Sequence, residues 1–229
     1  MKKLIIPFFC AVFFSVSLNA QTADAVKKTE VIQSKLTPKD VIDNYFKALG
    51  GKDKLEAIKS TITESTILAE GMEVSMISKK MGNKFKSVQK MGDKEIAAQA
   101  FDGEKGYINQ MGNKAPIPAD KIAELKKGKT IDELNYDPSN FKTVTVEKIE
   151  GKNYNVLASD KGSFYFDDST GLLYKSVIGG GTVLVKEYMT VDGVKFQSNI
   201  EIQSKGQKVV IKTNKITVNS GVTDLDFKS

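Results

Sequence analysis

The first strong pattern in the chain is helical. Over 37–49, apolar residues recur every three or four positions, which predicts one apolar face on an amphipathic helix. Thr37 and the proline after it can cap the first turn, and two glycines from Gly50 end it. A second short helical turn is predicted over 52–59. A helix with a single apolar face needs a partner surface.

From residue 61 the spacing of apolar residues changes to every second position, which is typical of strands with one covered face. Met72, Val74 and Met76 show it most clearly. Glycine-containing pairs separate the runs at hairpin lengths, including three copies of the tetrapeptide M-G-[ND]-K, which predicts two-residue turns. The predicted strands cover 61–69, 72–80, 84–91, 95–101, 105–111, 141–149, 152–158, 162–167, 172–178, 182–189, 194–204 and 207–218.

One segment interrupts the strands. Over 112–140, two prolines lead into a short predicted helix at 119–127. Strands and helices do not alternate, so the sheet is predicted to be an antiparallel meander. A sheet of up to twelve strands curls, because strand twist accumulates. The predicted fold is mainly β (α+β): a large curved antiparallel sheet forming an incomplete β-barrel, with the N-terminal amphipathic helix and the short helical insertion covering its concave face.

The N-terminus has the three parts of an export signal: two lysines, an apolar stretch and a small residue before the cut. We therefore predict a cleavable signal peptide over 1–20, with cleavage near Ala20-Gln21, and a periplasmic protein. A polar linker is predicted over 21–36 and a single domain over 37–229. The one cysteine, Cys10, lies within the signal and has no lipobox before it.

The amino-acid composition excludes several kinds of catalytic and metal site. The chain has no histidine, and all 34 of its basic residues are lysine. Imidazole bases, catalytic triads and zinc sites of histidine or cysteine are thereby excluded, and we predict no enzyme activity, no metal and no cofactor. The net charge of +6 is modest, and arginine forks are absent, so no nucleic-acid binding is predicted. Asp167-Asp168 is interpreted as a hairpin turn, the alternative being a carboxylate dyad or calcium site.

Methionine is concentrated in the first hairpin series, where five residues fall within 40 positions. Methionine suits an adaptable apolar surface, so a soft cavity wall is one interpretation and ordinary core filling the other. The residues predicted to line a cavity are Met72, Val74, Met76, Phe85, Ile96, Phe164, Phe166, Phe196 and Ile200. The residues predicted to belong to a lid, formed by the 37–49 helix and the 115–134 insertion, are Tyr45, Phe46, Leu49, Ile117, Ile122 and Leu125.

Two segments carry a resemblance to a known family: G-G-K-D-K-L-E-A-I-K-S after the first helix and V-N-S-G-V-T-D-L-D-F at the C-terminus. With the order of elements, the chain from about residue 40 onward resembles the outer-membrane lipoprotein-sorting (LolA-like) proteins of Bacteroidetes. The resemblance implies a periplasmic half-barrel whose apolar cavity shelters lipoprotein acyl chains. The well-studied carriers use a conserved arginine in lid movement, and no residue here matches it.

These observations predict a carrier that shelters the acyl chains of a lipid or lipoprotein on the way to the outer membrane. Shielding is needed because each methylene exposed to water costs about 0.8 kcal/mol. The expected partners are acyl chains and sorting components of the inner and outer membranes, and a monomer is expected. The alternative is a non-catalytic envelope interaction module with a fully packed half-barrel.

Overall fold

The computed structural model describes residues 32–228, so the predicted signal peptide and residues 21–31 of the predicted linker lie outside the described residues. The first helix, α1 (Pro38–Leu49), has the predicted start. Thr37 Oγ1 accepts a hydrogen bond from Asp40 N, and the Asp40 carboxylate accepts one from Thr37 N. Gly50 ends the helix with a φ of 123°, which a side chain would strain.

Two further helices are short. Helix α2 (Lys52–Ala57) follows α1 directly, and α3 (Ala119–Leu125) lies in the predicted insertion. Two 3-10 turns continue that insertion, and a third closes the C-terminus; they span Asp132–Asn135, Pro138–Asn140 and Asp224–Phe227. Within the described residues, no helix is both long enough and apolar enough to cross a membrane.

Fourteen antiparallel strands form one sheet in the described part of the chain. The strands are β1 (Ile32–Gln33), β2 (Ser60–Ala69), β3 (Met72–Met81), β4 (Lys84–Met91), β5 (Lys94–Phe101), β6 (Gly106–Gln110), β7 (Asn113–Pro116), β8 (Val144–Ile149), β9 (Lys152–Ser159), β10 (Gly162–Asp167), β11 (Leu173–Ile178), β12 (Gly181–Val191), β13 (Val194–Ser204) and β14 (Gln207–Val218). The predicted antiparallel meander and its twelve strands are confirmed, most of them within two residues at each end.

The strand order explains why the barrel is incomplete. It runs β1-β8-β9-β10-β11-β12-β13-β14-β2-β3-β4-β5-β6-β7, so β1 and β7 are the two edges. The chain leaves the sheet at β7 and returns at β8, beside the opposite edge. Residues 117–143, here called the strap, therefore cross the open side of the half-barrel.

Three boundaries differ from prediction. Ile32–Gln33 pairs with β8, and Leu36 packs against the core, so the end of the expected linker belongs to the fold. The edge strand β7 forms within the segment expected to break the strand pattern. Strand β8 begins at Val144 instead of residue 141, because Phe141 follows a 3-10 turn and is buried in the core.

Candidate functional site

The concave face can be followed from strand to strand, because directly paired residues of an antiparallel sheet lie on the same face. One such row crosses eight strands, from beneath α1 to the β2–β3 turn. It contains Leu157, Phe164, Ser176, Val183, Ile202, Val209, Ala69 and Met72. The row is apolar apart from Ser176, so apolar side chains line most of this part of the interior.

Helix α1 covers one part of this face. Its buried side chains pack with the strands in a group that we call the helix cluster, which includes Tyr45, Leu49, Phe164, Phe166 and Val185. The aromatic rings are in close contact: the centroid of Tyr45 lies 5.1 Å from that of Phe166, and the centroid of Tyr136 lies 5.5 Å from that of Phe164. Aromatic groups packed at these distances fill the space beneath α1.

The strap covers a second part of the concave face. Ile117 and Leu125, at its start, pack against Phe85 and Phe101 on the concave face, forming the strap cluster. Further along, Ile131 and Phe141 join the helix cluster. Polar contacts add to this attachment: the Lys80 ammonium pairs with the Asp132 carboxylate, and Gly82 N donates to Thr130 Oγ1 at 2.8 Å. The strap is thus attached to both halves of the sheet.

A third group, the strand cluster, lies away from both covers. Its members come from strands alone: Ile67, Val74, Met76, Ile96, Ile202 and Val209, with Ala69, Val183, Ile200 and Ile211 packed against them. Val183, Ile200 and Ile211 are only partly buried although they lie on the concave face. Apolar side chains left partly uncovered on a concave surface are typical of a binding site for an apolar ligand.

Polar groups meet where the helix cluster borders this surface. Gln197 Nε2, from β13, lies 3.5 Å from Tyr45 Oη and 3.5 Å from Glu133 Oε1. Tyr188 Oη donates to the backbone oxygen of Leu173 at 2.8 Å. Four separate elements therefore bring hydroxyl, amide and carboxyl groups together inside the half-barrel.

Burial controls the protonation of these groups. It raises the pKa of Glu133 to about 7, with repulsion from Asp132 as a smaller cause. Burial also raises the pKa values of Tyr45 and Tyr188 well above the usual range of tyrosine, so both stay neutral hydroxyls. Glu133 nevertheless keeps some accessible surface.

The predicted cavity residues are distributed over all three clusters. Phe164 and Phe166 are buried beneath α1, with Phe196 half-buried beside them. Phe85 lies under the strap. The other five residues lie in or beside the strand cluster, and they are Met72, Val74, Met76, Ile96 and Ile200. Their role in binding a ligand stays a prediction.

The predicted lid residues are also divided. Tyr45, Phe46 and Leu49 of α1 are buried in the helix cluster. Ile117, Ile122 and Leu125 lie in the strap cluster, on the far side of the interior. Helix α1 therefore forms part of the core, whereas the strap covers the opening.

Asp167 and Asp168 form the predicted hairpin turn. Asp167 Oδ1 accepts hydrogen bonds from Ser169 N at 3.0 Å and Thr170 N at 2.8 Å, which lower the pKa of its carboxyl group although partial burial opposes them. Asp168 Oδ1 accepts a hydrogen bond from Asn155 Nδ2 at 2.7 Å. Over residues 32–228, no three acidic side chains come together in a group that could hold a metal ion.

The sequence patterns do not predict this polar group. Glu133 lies near the end of the 115–134 insertion, and Tyr188 and Gln197 occupy ordinary strand positions. Local bulges in β12 and β13, between Val185 and Tyr188, change the register there. No sequence spacing reports such a bulge, so the convergence of these side chains becomes visible only in three dimensions.

No protein-family model and no curated protein matches the sequence. Solved structures do match the fold. A DUF1329 family protein from Desulfovibrio piger aligns with a TM-score of 0.57 and 12% identity, over 84% of this chain and 98% of its own. A LolA superfamily protein from Nitrosomonas europaea aligns with a TM-score of 0.55 and 10% identity, over 85% and 98%.

A putative outer-membrane lipoprotein-sorting protein domain from Vibrio parahaemolyticus gives a TM-score of 0.53 at 10% identity, over 73% of this chain and 88% of that domain. At such low identities the likeness establishes the fold alone. The fold is that of the LolA-like half-barrels, as the sequence resemblance implied.

Proposed function

We propose that the protein is an exported carrier that shelters the acyl chains of a lipid or lipoprotein on its concave face during transport towards the outer membrane. The observation that carries the proposal is the strand cluster, with partly buried Val183, Ile200 and Ile211 on the concave side of an open half-barrel. An acyl chain laid on this surface would bury its methylenes, each contributing about 0.8 kcal/mol.

The fold supports this proposal, because neighbours with the same half-barrel include a putative lipoprotein-sorting domain. Shielding an acyl chain requires apolar surface and a cover. The strand cluster offers the first and the strap the second. No catalytic group is needed, so we also propose that the protein is not an enzyme.

The test compares two apolar residues on neighbouring strands. Ile200 is partly buried on the concave face, whereas Leu184 is partly buried on the convex face, where it pairs with Lys175. Ile200→Gln should weaken binding of a fluorescent fatty-acyl probe about tenfold, since a polar amide replaces apolar contact. Leu184→Gln should leave probe binding unchanged.

Mass spectrometry of lipid extracted from natively purified protein identifies the cargo. Transfer of a lipoprotein from membrane vesicles to the delipidated protein measures carrier activity directly. The proposal fails if no lipid co-purifies, no probe binds and no lipoprotein is accepted.

The second candidate is an envelope interaction module, and the packed aromatic rings beneath α1 favour it. In that case the interior is structural and a protein partner binds the loops or an edge strand. Wild-type protein that binds neither lipid nor probe, but retains a protein partner on affinity purification, would support the module instead of the carrier.

A further inference from the structure

The Glu133 carboxyl group has more hydrogen-bonding capacity than the described chain uses. An ionised carboxylate has about four acceptor positions. Those of Glu133 receive the 3.5 Å contact from Gln197 Nε2 and a hydrogen bond from the residue's own backbone. A ligand that brings donors to the unused acceptor positions would add charge-assisted hydrogen bonds.

The charged groups around Glu133 do not fill its remaining acceptor positions. Among residues 32–228, the ammonium group that lowers the pKa of Glu133 belongs to Lys80 on β3, and it is paired with the Asp132 carboxylate. From α1 and β12 the groups that face Glu133 are the neutral hydroxyls of Tyr45 and Tyr188, and Tyr136 is the neutral neighbour on its own segment. Glu133 is therefore an acidic group beside neutral hydroxyls and one ion pair.

This polar group adjoins the apolar surface of the proposed carrier. Gln197 lies three residues before Ile200 on β13, which corresponds to about 10 Å along the strand. Ile200 pairs with Ile211 and so leads onto the strand cluster. An amphipathic molecule could therefore place its head at Glu133 and its chain along the concave face.

We propose that Glu133 and Gln197, with the buried Tyr45 hydroxyl behind them, form a subsite for the head group of the cargo, and that it selects a neutral or cationic head that donates hydrogen bonds. The proposal rests on the carrier function and specifies its ligand. A hydroxyl, amide or ammonium group satisfies the Glu133 oxygens, and an ammonium adds charge attraction. An anionic head would place a second negative charge beside Glu133, which is unfavourable.

The experiment compares three amphiphiles with the same 16-carbon chain but different heads: monopalmitoylglycerol, hexadecylamine and palmitate. Their dissociation constants are measured at pH 8, below their critical micelle concentrations, by displacement of a fluorescent acyl probe. For the wild-type protein, the glyceride and the amine should each bind about tenfold more tightly than palmitate. In Glu133→Gln the amine should lose this advantage and palmitate should bind more tightly than before.

Gln197→Leu serves as a second variant, because it removes the bridging amide and leaves the carboxylate. It should weaken binding of the glyceride, while the amine should still bind more tightly than palmitate. Glu73→Gln, on the exposed surface of β3, is the matched control and should leave all three constants unchanged. Circular dichroism confirms that each variant is folded.

The outcomes separate the subsite from the carrier. If all three amphiphiles bind the wild-type protein with equal affinity, or if Glu133→Gln weakens all three equally, the head-group subsite is wrong and the carrier stands. If none binds the wild-type protein, both proposals fail. The subsite is supported if the amine binds more tightly than palmitate in the wild type and in Gln197→Leu, and if this preference is lost in Glu133→Gln.

Discussion

Replacing Glu133 by glutamine should change how stability depends on pH. In the folded protein the pKa of Glu133 is raised to about 7, against an ordinary value of 4.5. Between these two values the folded state holds a proton that the unfolded state has lost. Stability therefore falls as pH rises through this window, and the loss is complete above the folded pKa. Glutamine has no proton to lose, so Glu133→Gln removes this fall.

The gap between the two pKa values corresponds to a ceiling of about 3 kcal/mol in the free energy of unfolding. Solvent reaches part of the Glu133 side chain, and screening lowers the expected difference to about 2 kcal/mol. At pH 8 the variant should thus be more stable than the wild type by about that amount. At pH 4.5 and below, the two proteins should differ little.

Urea unfolding measures this difference, with circular dichroism as the signal because the chain has no tryptophan. Both proteins are measured at several pH values and one ionic strength, and subtracting their curves cancels the titration of all other groups. Glu73→Gln is again the control. If the free energy of unfolding of the wild type and of Glu133→Gln changed in parallel with pH, the reasoning would be refuted. Such a result would show that Glu133 titrates alike in the folded and unfolded states.

Two further predictions concern the packing that supports the site. Phe166→Ala should lower the free energy of unfolding by about 3–5 kcal/mol in urea titrations, because the ring is fully buried, whereas the exposed Met111→Ala should change it by less than about 0.5 kcal/mol. Gly50→Ala should cost more than Gly51→Ala in thermal unfolding. Both glycines have positive φ, but only at Gly50 would a Cβ lie 2.3 Å from Gly193 O. Equal losses within either pair would contradict the packing described.

The sequence predicts the sheet well because two local signals agree along most of it. Alternation marks Met72, Val74 and Met76 as one face, and the structure places them there. The glycine-containing pairs at 82–83 and 92–93 form the turns on either side of β4. Each signal is local, so neither depends on distant parts of the chain.

The elements that the sequence does not predict depend on tertiary pairing. Strand β1 is two residues long and exists only because β8 lies beside it. At Ile96 a bulge between β4 and β5 shifts the register, so Ala97 and not Ile96 pairs with Gln89 of the concave face. A bulge inserts one residue and reverses the alternation beyond it. Periodicity alone therefore assigns Ala98 and Ala100 to the wrong face.

The candidate site is less predictable than the sheet. Apolar residues of its wall follow from alternation, but the polar group joins residues from 45 to 197 through four elements. Which half of the interior is filled also depends on where α1 lies. The aromatic residues Phe164 and Phe166 have the alternation of a cavity wall, but alternation does not reveal that Tyr45 and Tyr136 pack against them.

The absence of arginine bears on how the strap could open. The Lys80–Asp132 pair is partly exposed, and such pairs contribute about 0–1 kcal/mol, without the bidentate geometry that arginine provides. The greater part of the strap's attachment is apolar, through Ile117, Leu125, Ile131 and Phe141. Opening the strap would expose these side chains to water. In a half-barrel without arginine, the strap is therefore held closed mainly by apolar burial, and an ion pair adds little.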